Sequence, residues 1–197
     1  MSKLFKDTTY NHPLDTWDVS NVRDMSYMFQ NSKFNHPIGS WDVSRVANME
    51  GMFRNSKYNH PLDSWDVSHV YTMKDMFNNT KYNHPLGSWD IQASDISRMF
   101  YRCPYNYPLA SWNVSRVIFM EETFMYSKYN HPLCSSNGAS WNVSRVINMS
   151  HMFSHSKFNH SVQNWIINPN CTGHTTMFND SKYSHPKPVK HRAKKTK

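Results

Sequence analysis

The sequence predicts an α/β repeat solenoid, with one short parallel strand and one short helix or helical turn in each repeat. Three observations carry this reading. Tryptophan occurs at 17, 41, 65, 89, 112, 141 and 165, at steps of 24, 24, 24, 23, 29 and 24 residues. An aromatic residue stands seven positions before the tryptophan at Tyr10, Phe34, Tyr58, Tyr82 and Tyr105. Within each unit the apolar spacing changes from alternation to a helical interval, and no single unit could bury its apolar face alone.

The unit is clearest over residues 56–77, S-K-Y-N-H-P-L-D-S-W-D-V-S-H-V-Y-T-M-K-D-M-F. Trp65, Asp66 and Val67 alternate apolar and polar, the pattern of a half-buried strand of about three or four residues. Ser68 follows as a helix N-cap. Val70, Met73, Met76 and Phe77 then fall at i, i+3, i+6 and i+7, the face of a helix of about two to three turns. The N-H-P-L segment turns the chain back, with Pro61 holding its predecessor extended. Stacked units would place their strands in a parallel sheet at about 4.8 Å, with aromatic and Met columns as a continuous core.

This divides the chain into a lead-in over 1–9, a single solenoid of about seven repeats over 10–186 with a degenerate C-terminal cap, and a disordered basic tail over 187–197. The fourth unit is one residue short between Trp89 and Phe100, and its NHPL has become Asn106-Tyr107-Pro108-Leu109. The sixth carries five extra residues between Leu133 and Trp141, expected to bulge as a surface loop over 134–139. The seventh replaces the D-V-S pattern with Ile166, Ile167, Asn168 and Pro169, as a capping turn would.

Composition limits what the chain can do. Of 197 residues, 38% are hydrophobic and 15% aromatic, too aromatic for a disordered chain. The formal charge is +8, but residues 187–197 hold six of the 22 Lys and Arg and no acid. Residues 1–186 carry 16 basic and 14 acidic side chains, so the tail makes the charge. Cys103, Cys134 and Cys171 have neither disulfide-framework nor zinc-motif spacing. The N-terminal segment has no apolar h-region, and no 18-residue apolar run occurs. The expectation is a protein not exported by a standard signal, without a membrane span, inside a cell (host cytoplasm or nucleus) or in a virion.

Four polar columns invite chemistry. His12, His36, His60, His84, His131, His160 and His185 form a ladder interrupted by Tyr107. One residue type on one face gives parallel vectors rather than the convergent ligands a metal needs, so no metal site is expected. Lys33, Lys57, Lys81, Lys128, Lys157 and Lys182, interrupted by Pro104, could form a basic stripe, while Asp18, Asp42, Asp66 and Asp90 run in parallel. Asn11, Asn35, Asn59, Asn83, Asn106, Asn130 and Asn159 should satisfy backbone groups as an interior ladder. Every recurrent His, Asp, Ser and Lys is explained by its column, no unlike groups converge, and no catalytic residue or cofactor is expected.

The consensus M-F-x-x-[ST]-K-[FY]-N-H-P-[IL]-x-x-W-[DN]-V-S-x-V-x-x-M resembles the BspA-like repeat family over roughly residues 10–186. Members look like relatives of leucine-rich repeats and occur in bacterial surface proteins and in large DNA viruses of protists. The resemblance implies a leucine-rich-repeat-like solenoid with no defined biochemical activity; adhesion is associated with the bacterial members. The N-H-P-L variant and the missing export signal look more like the viral versions.

The reading that follows is a non-enzymatic protein-binding or scaffold module. Asn21, Arg45, His69, Arg116 and Arg145 vary where other columns repeat, and with the loop at 134–139 they would face a partner. The candidate partner-binding residues are Lys33, Lys57, Lys81, Lys128, Lys157, Arg45, Arg116 and Arg145, with Lys190, Arg192, Lys194 and Lys195 in the tail. A second reading is a nucleic-acid-associated protein acting through the tail and the lysine column. A third is a structural virion component.

Overall fold

In the computed structural model, residues 1–134, 138 and 140–190 are described. Among them there is no helix and no strand longer than an isolated bridge, so the expected strand plus helix per repeat does not form. The chain instead winds as coils that stack one on the next. Parallel bridges join Asp24 to Asn48, Asn48 to Thr72, Thr72 to Asp95, Asp95 to Phe119, Phe119 to Asn148 and Asn148 to Thr172. These bridges lie at the start of the segment expected to be helical, not at the W-D-V segment expected to be the strand.

The residues expected to form a helix make a run of tight turns. Over Met49–Ser56, the N–H groups of Met52, Arg54 and Ser56 donate to the carbonyls of Met49, Gly51 and Phe53, each an i→i+3 bond. The intervening N–H groups of Met49, Gly51, Phe53 and Asn55 donate to Thr72, Lys74, Met76 and Asn78 in the following coil. Every N–H that a helix would commit to its own carbonyl four residues back is thus divided between a local turn and the neighbouring coil. Two residues per coil sit at positive φ to allow this: Tyr27 and Asn31, Gly51 and Asn55, Asp75 and Asn79, Arg98 and Arg102. Turns with a left-handed third residue favour Gly and Asn there. At Gly51 the need is doubled, because a Cβ would also lie 2.5 Å from the Tyr27 ring.

The caps read from the sequence belong to turns as well. Ser20, Ser44 and Ser68 donate their N–H to the carboxylates of Asp18, Asp42 and Asp66, and Ser115 and Ser144 do the same to Asn113 and Asn142. A second set opens each run of turns, as where Ser26 donates to Asp24 and Glu50 to Asn48. Such Asx turns compete with a helix for the same N–H groups. A two-turn helix is marginal in water, whereas the turn run gains a hydrogen bond to its neighbour at every second residue.

The core is a set of ladders through the stack. Phe5, Phe29, Phe53, Phe77 and Phe100 stack ring on ring at 5.5–5.8 Å, and the ladder continues through Phe124 and Phe153 to Phe178. Beside it runs the column Phe34, Tyr58, Tyr82, Tyr105, Tyr129 and Phe158, all fully buried. Trp41, Trp65, Trp89, Trp112, Trp141 and Trp165 are buried, as the sequence implies, while Trp17 in the first coil is 37% exposed. From Trp41 to Trp141, each indole Nε1 donates to the carbonyl of Leu14, Ile38, Leu62, Leu86 or Leu109 in the preceding coil. Residues 1–9 join the same pattern: Lys3, Phe5 and Asp7 donate to Ser26, Met28 and Gln30. On either side of the sixth-unit insertion the turn is kept: the Trp141 N–H donates to the Leu133 carbonyl at 3.1 Å, as that of Trp65 does to Leu62.

Candidate functional site

Each run of turns leads into an extended stretch whose residues alternate outward and inward. Asn31, Lys33 and Asn35 are exposed while Ser32 and Phe34 are buried, and the same holds for 55–59, 79–83, 126–130 and 155–159. Three outward columns therefore lie side by side on one face. The inward Ser and Thr residues hold the stretch in place: Ser32, Ser56, Thr80 and Ser127 accept the N–H two residues on.

The middle column holds Lys33, Lys57, Lys81, Lys128 and Lys157, all exposed and in no ion pair among the described residues. The inner column holds the asparagines, which prove exposed rather than interior. Each Asn Oδ1 accepts the backbone N–H of the next coil, from Asn35 onto Asn11 at 2.8 Å to Asn159 onto Asn130 at 3.0 Å. The histidines next to them are tied down by the same ladder. His36, His60, His84, His131 and His160 each donate Nε2–H to the carbonyl of the preceding coil's asparagine at 2.9–3.1 Å. One imidazole nitrogen per ring is thus spent on the backbone. No group of three metal-ligating side chains gathers among the described residues.

The outer column changes character along the stack. Asn79 donates to Asn55 and Asn55 to Asn31, each at 2.9 Å, and Asn31 to Asp7 at 2.6 Å. From the fourth unit onward the column becomes Arg102, Tyr126, His155 and Asp180. The Arg102 guanidinium lies 5.2 Å from the Tyr126 ring centre. Tyr126 stacks on His155 at 4.5 Å and 2°, and His155 Nε2 is 3.5 Å from the Asp180 carboxylate. None of these is visible as a site in the sequence, because Arg102 and Tyr126 share no type with the asparagines they replace. Their place becomes visible only once the coils are stacked in register.

A second face follows the bridges. Arg45, Arg116 and Arg145 are exposed there, and Arg45 donates to Asn21 in the preceding coil at 2.7 Å. Next to them stand Tyr71 at 55% exposure and Phe119 and Ile147 at 38% each. The N–H of Ser94 bonds to Tyr71 and that of Phe119 to Ser94, so the shortened fourth unit puts a small residue between two aromatics. The result is a shallow depression between Tyr71 and Phe119, with Glu50, Lys74 and Asp95 at its rim.

Charge is set locally on both faces. Hydrogen bonds from the side chain and backbone of the serine two residues on hold Asp18, Asp42 and Asp66 below the usual carboxylate range. Burial pushes the Cys103 thiol up to about 11, which keeps it protonated, and its Sγ–H donates to the Tyr82 carbonyl at 3.2 Å. Of the tail residues, Lys190 bridges in parallel to Ile167; Arg192, Lys194 and Lys195 lie outside the described residues, as does most of the loop at 134–139. No helix among the described residues is long and apolar enough to cross a membrane.

Two overlapping segments, residues 1–104 and 92–190, match the family model described as "Mycoplasma protein of unknown function, DUF285". Neither the curated proteins nor the solved structures contain a match.

Proposed function

The chain belongs to the DUF285 family, and from that premise we propose that it is a non-enzymatic repeat module that binds a protein partner through its bridge-side face. The observation that supports this is the exposure of Tyr71, Phe119 and Ile147 along the bridges, where successive coils differ. The buried Trp and Phe columns, by contrast, repeat one residue type, as packing demands. Along the bridges the positions read Arg23, Ala47, Tyr71, Ser94, Ile118 and Ile147, free of any stacking rule. Large exposed aromatics beside Arg45 and Arg116 have the composition of an interface anchor, and the dip at Ser94 gives a partner side chain a place to enter.

The test is chemical cross-linking in cells that make the protein, comparing the natural chain with a Tyr71→Ala/Phe119→Ala variant. The same cross-linked protein should be lost with the variant and kept with Lys57→Ala/Lys81→Ala. Equal recovery with both variants would place the contact elsewhere and refute this reading.

A further inference from the structure

We propose that the lysine face is a binding track for single-stranded nucleic acid, built by the coils themselves and separate from the basic tail. In the sequence the lysine column breaks at Pro104, and a broken column is a poor track. The stacked coils remove that objection. Arg102, two positions before Pro104 and exposed on the same face, supplies the cation that the fourth unit's lysine position lacks. Lys33, Lys57, Lys81, Arg102, Lys128 and Lys157 then give one cation to every coil.

No carboxylate stands among them. Over residues 31–159 the three outward columns contain Asn, Lys, Arg, Pro, Tyr and His only; Asp7 and Asp180 mark the two ends. A purely solvated face would mix signs, as the bridge-side face does with Glu50, Lys74 and Asp95. With coils about 4.8 Å apart, six cations span roughly 24 Å, the scale of a site of about 4–16 nucleotides.

The track is a straight row, which suits a flexible single strand. A duplex turns its phosphates away from a line. In the fifth of its six coils the track carries an aromatic stack: Tyr126, 41% exposed, lies between Arg102 and the His155 ring, so a base reaches its plane by displacing one of them. Aromatic and guanidinium planes beside a cationic groove are what bases stack on. The asparagine column adds amide groups at the same interval, each with Oδ1 already held by backbone.

The experiment measures binding of a labelled twenty-nucleotide oligo-dT to the full chain across a salt series, with heparin and a blunt duplex as competitors. Six phosphate contacts predict a slope of log K against log salt of about −4. Lys57→Ala/Lys81→Ala should make that slope shallower by about 1.4. Tyr126→Ala should weaken oligo-dT about five- to ten-fold and leave heparin unchanged. An Arg192→Ala/Lys194→Ala/Lys195→Ala variant should retain the Lys57/Lys81 dependence. The three variants change exposed residues or residues outside the described ones, so unchanged circular dichroism is the control. Three results would overturn the proposal: no oligo-dT binding at low salt, binding abolished by the tail variant alone, or heparin and duplex competing as well as oligo-dT with Tyr126→Ala neutral.

Discussion

The coils of Trp41 and Trp65 and those of Trp112 and Trp141 solve one packing problem with different degrees of regularity. In the first pair the positive-φ column is Asn31, Asn55 and Asn79, each amide bonded to the one before. In the second pair the same backbone conformation is carried by Arg102, Tyr126 and His155. One half uses residues that tolerate left-handed backbone; the other half does not, and a cation–aromatic stack takes the place of the amide ladder. The Phe, Trp and Asn-Oδ1 ladders continue through both halves. The fold therefore rests on its buried columns and on the asparagine acceptor, and the outer column is free to specialise.

That comparison can be broken at its strongest point first. Trp65→Ala should cost about 3–5 kcal/mol, read as the change in unfolding free energy, because it leaves a cavity and takes the indole N–H from the Ile38 carbonyl, which keeps only the Trp41 N–H. Trp141→Ala should cost about as much, since Trp141 is as buried and its indole is held by the Leu109 carbonyl in the same way; a cost under ~1 kcal/mol there would show that the second half is not packed like the first.

Gly51→Ala comes next. A side chain at φ +58° that also meets the Tyr27 ring should destabilise by about 1–3 kcal/mol, and pairing it with Tyr27→Ala should recover part of the loss by relieving the clash. Recovery of the whole loss would mean that the left-handed backbone carries no strain of its own.

Asp66→Asn addresses the turn that precedes the helix expected from the sequence. Asp18, Asp42 and Asp66 have folded pKa values below the ordinary 3.8. They therefore contribute stability above that value, and lose it as pH falls through the folded pKa. Asn113 and Asn142 already accept the same N–H in later coils. Replacing all three aspartates by asparagine should keep the fold at neutral pH and flatten the acid limb of an unfolding titration below about pH 3.8.

The smallest effect belongs to Tyr82→Phe. The hydroxyls of Tyr58, Tyr82, Tyr105 and Tyr129 are buried without a hydrogen bond, close to carbonyls that Trp65, Trp89, Trp112 and Trp141 already hold. Phe34 and Phe158 fill the same column with no hydroxyl. The change should lie within about 0.5 kcal/mol of neutral or be slightly stabilising.

The period, the register and the buried columns were legible in the sequence because packing makes one residue type recur. Trp, Phe and Met mark the inside. The local conformation was not, because Val70, Met73, Met76 and Phe77 suit a helix and a run of three-residue turns equally. What decides between them is polar: Asn31, Asn55 and Asn79 at intervals of 24, Gly51, and an Asp, Asn or Thr before Met25, Met49, Met73 and Met149. Those residues take up the N–H groups or set the φ angles that a helix cannot share. The lysines of the candidate track were equally plain. Arg102 was not, because its role depends on which residue of the neighbouring coil it stands beside.

The central claim is that residues 49–56 are turns whose alternate N–H groups cross to the next coil. Scalar couplings across hydrogen bonds, measured by NMR on labelled protein, test it most directly. The Gly51 N–H should couple to the Lys74 carbonyl and the Phe53 N–H to Met76. Coupling of Gly51 to Ala47 and of Phe53 to Met49, each four residues back, would show a helix and contradict the account.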